Sequence, residues 1–99
     1  MAKQRMSLVG SHGTEAISST AVEVDKAAGS EGVLLQAIDA DVRFTLDGTA
    51  PVGATTGFLL RNGDMAVLVP LGDNCDTLTF IRDASTDAEL QYQFVREFD

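Results

Sequence analysis

Alternation of apolar and polar residues is the feature that most constrains how this chain can fold. Residues 42–46 read Val-Arg-Phe-Thr-Leu, residues 77–80 read Thr-Leu-Thr-Phe, and residues 90–94 read Leu-Gln-Tyr-Gln-Phe. A period of two directs one face of a β-strand to the core and the other to solvent. Further strand candidates are residues 21–24, 33–38, 58–61 and 65–69. The pattern predicts about seven short strands and no long helix.

Turn-forming residues separate these runs. Asp47-Gly48 follows the strand at 42–46, Asn62-Gly63 follows an apolar run, and a Gly-Asp-Asn sequence occupies residues 72–74. Such residues supply the positive φ angles that tight turns need. Asn62-Gly63, which lies between two apolar runs, predicts a β-hairpin. Residues 84–87 predict a hairpin loop before the last strand.

Short strands at regular spacing predict an all-β fold with a single compact antiparallel β-sandwich, jelly-roll or immunoglobulin-like. We assign this domain to residues 20–99 and an extended N-terminal arm to residues 1–19, where apolar residues are few. The arm is expected either to order across a neighbouring subunit or to be a flexible terminus. The last strand, residues 88–95, is a candidate edge for pairing with another chain unless it is central.

The predicted core is mainly aliphatic, because the chain has no Trp, one Tyr and five Phe residues. Residues 33–38 are mostly apolar, which is typical of a strand buried on both faces. The residues predicted to face the core are Val22, Val24, Leu34, Ile38, Val42, Phe44, Leu46, Leu60, Val67, Val69, Leu78, Phe80, Leu90, Tyr92 and Phe94. A core of this size gives modest stability, which assembly often supplements.

The charge balance argues against two classes of partner. A formal net charge of −8 argues against a nucleic-acid partner, because phosphate binding depends on clustered Lys and Arg. No apolar run approaches the roughly 20 residues that a membrane helix needs. The basic N-terminus is not followed by an apolar segment of signal-peptide length, so a cleaved signal is not expected. Lys3 and Arg5 stand apart from the rest of the chain, which holds 5 basic and 15 acidic residues. They are candidate contacts for an acidic partner or part of a frayed terminus.

Side chains for catalysis are scarce. The single cysteine, Cys75, has acidic neighbours that raise a thiol pKa, and the single histidine, His12, is distant in sequence. A Cys–His pair is therefore not expected, and zinc would need about four ligands. The Gly-Ser-Glu-Gly sequence at 29–32 lacks the lysine of a phosphate-binding loop. We expect no enzymatic activity, no catalytic residue and no cofactor.

Two acidic clusters remain as candidate cation sites. One contains Asp39, Asp41 and Asp47, and the other combines Asp73 and Asp76 with an intervening asparagine. Calcium takes six to eight oxygen ligands, and neither cluster has the spacing of an EF-hand loop. We therefore interpret both clusters as solvated turns and expect no metal.

One stretch resembles a set of short phage-encoded virion proteins. Residues 41–51 read Asp-Val-Arg-Phe-Thr-Leu-Asp-Gly-Thr-Ala-Pro, and residues 56–60 read Thr-Gly-Phe-Leu-Leu. A glycine turn at Gly63 and a late Thr-Phe-Ile-Arg run at 79–82 complete the similarity, which covers roughly residues 33 to 95. Proteins of that set are small β-rich structural or decoration components of tailed phages, and the resemblance implies the same role here.

A second resemblance uses the same residues. The run from Phe44 to Pro51 is similar to a Tyr-Thr-Leu-Asp-Gly-Ser-x-Pro motif of immunoglobulin-like accessory domains in chitobiase-type glycosidases. In physical terms, Asp47 accepts backbone amide protons, Gly48 allows a positive φ and Pro51 directs the exit of the chain. We interpret this motif as a structural corner rather than a ligand site.

Two functions of different classes are thus expected. The first is a capsid decoration or cement protein in the virion, bound to the major capsid protein or other virion proteins and forming a dimer or trimer. The alternative is a carbohydrate-binding or adhesion module of a virion or a glycosidase. Such a module stacks exposed aromatic rings on sugars, and the shortage of Trp and Tyr favours the first function. Phe58 is the candidate partner contact within the domain.

Overall fold

The computed structural model describes residues 5–72 and 75–98, which form an all-β sandwich. Its strands are β1 (Arg5–Ile17), β2 (Val22–Asp25), β3 (Gly32–Ile38), β4 (Val42–Thr45), β5 (Phe58–Leu60), β6 (Val67–Pro70), β7 (Thr77–Arg82) and β8 (Ala88–Phe98). Within this part of the chain, no helix is long and apolar enough to cross a membrane. The prediction of a β-sandwich is confirmed.

Two antiparallel four-stranded sheets make up the sandwich. The first sheet has the order β1-β8-β3-β6, and the second has the order β2-β7-β4-β5. Among the consecutive strands, only β4 and β5 pair with each other, because every other connection passes from one sheet to the other. The last strand is central, between β1 and β3, and is therefore not an edge.

The predicted hairpin at Asn62-Gly63 is wrong. These residues do form a turn, in which Gly63 has φ +89° and the Asp64 amide donates to the Arg61 carbonyl at 3.3 Å. However, the turn connects β5 of the second sheet to β6 of the first. An Asn-Gly pair specifies a local reversal of the chain but not the strand that the chain pairs with next.

Most of the predicted N-terminal arm lies in the first sheet. Residues 5–17 form β1, which pairs with β8 along its length, and Ile17 is fully buried. The strand bulges between Val9 and Gly13, where the buried Gln93 amide donates to the carbonyls of Val9 at 3.4 Å and Gly10 at 3.2 Å. A polar, glycine-containing stretch can thus belong to a sheet, because a side chain from the neighbouring strand satisfies the carbonyls of the bulge.

The core lies between the two sheets and follows the alternation of most strands. Phe44 packs between Phe58 and Phe80, with ring centroids 5.6 Å and 6.0 Å apart respectively. The buried apolar residues are Ile17, Val24, Val33, Leu35, Ala37, Val42, Phe44, Leu60, Leu71, Cys75, Leu78, Phe80, Ala88, Leu90, Phe94 and Val95. The loop of residues 83–87 does connect β7 to β8, but these two strands lie in different sheets, so the predicted hairpin is wrong.

Two parts of the predicted core are wrong. On β3 the fully buried positions are Val33, Leu35 and Ala37, whereas Leu34 and Ile38 are only half-buried. This strand is apolar on both faces, so alternation could not show which face meets the second sheet. On β6, Val67 is 42% exposed, because no strand lies beyond it.

Candidate interaction surface

Exposed apolar side chains are concentrated at one edge of the sandwich, where β5 and β6 are the outermost strands. Phe58 is 64% exposed, Met65 is 86% exposed, and three smaller contributions come from Leu59, Val67 and Leu68. We call these five residues the open end. A contiguous exposed apolar patch on a small protein marks a binding surface more often than scattered single residues do.

Strand pairing shows in which direction the exposed side chains of Phe58 and Val67 point. Phe58 pairs with Phe44 and Val67 pairs with Leu35, and both partners are buried in the core. Directly opposite residues in an antiparallel pair project from the same face. Phe58 and Val67 therefore point toward the space between the sheets, yet remain exposed because no further strand covers them. Phe58 and Val67 are the uncovered continuation of the core, whereas Leu59 and Leu68 alternate with them and lie on the outer faces of the two sheets.

A groove of about 460 Å³ lies between the sheets at the open end. Its floor includes the buried residues Leu35, Ala37 and Phe44, and the exposed residues of the open end form its walls. The groove falls within the size range of a ligand site, and its lining is mainly apolar. It suits a hydrophobic side chain better than a polar or charged ligand.

Two opposite charges stand at the rim of the groove. Arg61 and Asp64 both line it, both are exposed, and neither is in an ion pair within the described residues. The loop between them is held by Gln36, whose side-chain amide donates to the Asp64 carbonyl at 3.3 Å. The Asp41 carboxylate accepts the Asn62 amide proton at 2.7 Å. The rim therefore presents one positive and one negative side chain, both unpaired.

The backbone of β6 is poorly suited to adding another strand. The Leu71 amide donates to the Glu31 carbonyl of the neighbouring chain segment at 2.9 Å. Because amide directions alternate along an antiparallel strand, Pro70 presents its nitrogen to the free edge, where it has no proton to donate. Proline at a free edge limits strand addition. Pro70 therefore removes one main-chain donor from the free edge of β6, which favours contacts through side chains at the open end.

The Asp-Gly corner forms a turn that is closed by its own hydrogen bonds. The Asp47 carboxylate accepts the Thr49 amide proton at 3.0 Å, and this bond lowers the pKa of Asp47. Gly48 has φ +87°, and Pro51 is buried. The Thr45 hydroxyl donates to the Thr49 carbonyl and closes the turn. The polar groups of the turn thus form hydrogen bonds with one another.

An ion pair holds the loop that precedes β5, beside the open end. Arg43 Nε and Asp83 Oδ1 are 2.6 Å apart, and both side chains are 20% exposed. The same carboxylate accepts the Ala54 amide proton, while Arg43 also donates to the Gly57 carbonyl at 3.0 Å. The hydrogen bond from Arg43 lowers the pKa of Asp83. Because Gly57 precedes Phe58, this pair positions the start of β5.

Two further residues singled out by sequence, Arg5 and Cys75, lie apart from the open end. Lys3 lies outside the described residues, and Arg5 is the first residue of β1, opposite Phe98. Cys75 is buried, and burial is the main cause of its raised pKa, which nearby Lys26 opposes. Arg5 and Cys75 therefore do not form a common site with Phe58.

Metal ligands do not converge in the described residues. His12 on β1 hydrogen-bonds Gln91 on β8, whereas Cys75 lies in the segment between β6 and β7. Within residues 5–72 and 75–98, no group of three His, Cys, Asp or Glu side chains is placed to hold an ion. Asp73 of the second acidic cluster lies outside the described residues.

Comparison of the chain with known protein families, curated proteins and solved structures finds no match.

Sequence reasoning identified Phe58 but missed the rest of the open end. It placed Val67 in the core and did not single out Leu59, Met65 or Leu68. One signal was present: the Val-Leu-Val-Pro run at 67–70 is apolar on both faces and ends in proline. Proline in such a run indicates an edge strand, and an edge strand with no polar face indicates a surface that another molecule covers.

Proposed function

We propose that this chain is a non-enzymatic virion structural protein, a capsid decoration or cement protein that stabilises the assembled shell through protein–protein contacts. The observation that carries the proposal is the open end, an apolar groove with Phe58 and Met65 exposed on an otherwise acidic protein. The centres of protein interfaces are rich in aromatic residues, Met and Arg, and poor in acidic residues. The open end contains one aromatic residue, one Met and no acidic residue.

The resemblance to short phage virion proteins supplies the biological setting of the proposal. The stretch that carries it includes the Asp-Gly corner and β5, so it extends into the open end. A protein that binds only the assembled shell stabilises it by mass action, because its binding free energy is lost when the shell opens. Apolar surface buried between subunits would provide that binding energy.

The experiment begins with the parent particle. We expect this chain in purified virions by mass spectrometry, and as density on the particle surface by cryo-electron microscopy. Adding the purified protein to particles that lack it should raise the temperature at which they release DNA. Absence of the chain from the virion would exclude a structural role there.

A matched pair of variants then tests the open end. Phe58→Asp should reduce retention on particles at least about tenfold, since it places a charge in the apolar groove. Val52→Asp is the control, because Val52 is 51% exposed but lies outside the groove. Equal retention of both variants would show that the open end does not contribute to particle binding.

The carbohydrate-binding alternative depends on the same aromatic ring. Among the described side chains, Phe58 is the one exposed aromatic, and Tyr92 packs edge-on against Phe94 at 5.8 Å. Sugar stacking favours flat, accessible aromatic faces, whereas one face of Phe58 is near Phe44. A glycan-array signal that Phe58→Ala abolishes would replace the first proposal with this one.

A further inference from the structure

We propose that the open end is a self-association surface, on which a second copy of this chain docks across a two-fold axis. This inference rests on the proposed function and deepens it, since it names a second copy of this chain as the subunit that the open end contacts on the shell. In a two-fold interface the same patch of both copies meets itself, so a patch must be complementary to itself. The open end meets this requirement in both shape and charge.

Shape complementarity comes from a protruding side chain beside a recess. Met65 is 86% exposed and lines the groove that Phe58 and Val67 flank. Methionine is flexible and fills irregular apolar spaces well. A two-fold axis near Met65 places this side chain of each copy in the groove of the other. Phe58 and Val67, which point toward the space between the sheets, then become buried.

Charge complementarity comes from the rim. Arg61 and Asp64 both precede Met65 in the chain, have opposite signs and make no ion pair within the described residues. A two-fold axis brings Arg61 of each copy to Asp64 of the other, so that two ion pairs form around the apolar centre. The net charge of −8 opposes association, but these two side chains add no net charge to the rim.

An added peptide strand fits the open end less well than a second copy does. Pro70 removes a donor from the free edge of β6, and β5 spans only Phe58–Leu60. Strand addition obtains its affinity from main-chain hydrogen bonds, which these edges supply poorly. Side-chain docking of one open end on another needs no such bonds.

The first test measures the mass of the purified full chain by sedimentation velocity over a range of concentrations. We expect a monomer–dimer equilibrium. Phe58→Asp and Met65→Asp should each weaken it at least about tenfold, because a charge would enter an apolar contact. The control Val52→Asp should leave it unchanged. Circular dichroism and the thermal midpoint show whether each variant is folded.

The second test uses charge reversal and does not depend on damage to the core. Arg61→Asp and Asp64→Arg should each weaken self-association at least about tenfold, because like charges then face each other. An equimolar mixture of the two variants should recover the dimer as a heterodimer. In the mixed dimer, each contact joins opposite charges again. Such recovery is specific to a two-fold interface with this pairing.

Four outcomes would overturn the inference: a monomer at all concentrations, a trimer, a dimer that neither apolar substitution weakens, or no recovery on mixing. Failure of the proposed function is a separate result. A monomer that still binds particles would refute self-association alone. A dimer that is absent from the virion would refute only the role in the shell.

Discussion

The two edges of the sandwich differ although the same alternation runs through both. At the edge formed by β1 and β2, inward-facing residues are buried: Ile17 is 0% exposed and Val24 is 7% exposed. At the edge formed by β5 and β6, Phe58 and Val67 also face inward but are 64% and 42% exposed. We call the first edge the closed end, to contrast it with the open end.

Strand length and neighbouring contacts explain the difference. The strand β1 spans Arg5–Ile17, and its last residues pack over the second sheet, where the Ser18 carbonyl accepts the Arg82 amide proton. At the open end, β5 and β6 are short and leave a groove between the sheets. Alternation therefore sets the direction of a side chain, while burial depends on what lies beyond the strand.

The largest expected effect compares residues at the two ends directly. Ile17→Ala should lower the free energy of unfolding by about 3 kcal/mol, because it leaves a cavity in the core. Met65→Ala should change it by less than about 0.5 kcal/mol, because that side chain is exposed. Urea denaturation at a dilution where the chain is monomeric measures both. Equal losses would show that the open end is part of the stabilising core.

A second change tests Gly13, which lies on β1 at the closed end. A Cβ atom at Gly13 would overlap ring carbon Cζ of Tyr92, which lies across this position. We expect Gly13→Ala to cost about 2 kcal/mol through overpacking. Since Tyr92→Ala removes the obstacle, the double variant should lose less stability than the sum of the two single changes. Simple additivity in the same denaturation assay would contradict this close approach.

A third change tests the ion pair that positions β5. Asp83→Asn should cost about 1 kcal/mol, since it weakens the bonds to Arg43 and to the Ala54 amide. The control is Asp87→Asn, because Asp87 pairs with Arg82 but is 67% exposed. Exposed pairs contribute little, so the control should stay close to wild type.

The same pair predicts a dependence on pH. The pKa of Asp83 is lowered in the folded state, so its stabilisation is present above the unfolded-state pKa of about 3.9 and is lost as pH falls through the folded-state value. As pH is lowered from 7 to 3, the thermal midpoint of Asp83→Asn should therefore fall less steeply than that of wild type, because the variant lacks this carboxylate. Parallel curves would mean that this carboxylate has no part in acid destabilisation.

The last comparison is a matched pair of isosteric substitutions, one at a buried position and one in the groove. Val42→Thr buries a hydroxyl where the side chain is fully buried and should cost about 1–2 kcal/mol. Val67→Thr should cost less than about 0.5 kcal/mol, because water reaches the groove. A large loss at Val67 under monomeric conditions would show that the groove is closed in the free chain.

Much of the fold was predictable from local pattern. The strands at 42–45 and 77–82, the strand after residue 88 and the corner at Asp47-Gly48 all follow from alternation and turn residues, although the central place of the last strand does not. The open end was predictable only at Phe58. Its groove depends on β5 and β6 lying at the same edge of two different sheets, and no local sequence feature specifies that arrangement.

The sequence by itself determined that this chain forms short antiparallel strands, which positions turn, and which side of most strands is apolar. These properties depend on residues two to four positions apart. The tertiary structure decided that residues 5–17 join the first sheet, that Asn62-Gly63 connects two sheets and that Val33 rather than Leu34 faces the core. These outcomes depend on contacts between distant segments, which compete for the same sheet edges and are settled only when the whole core packs.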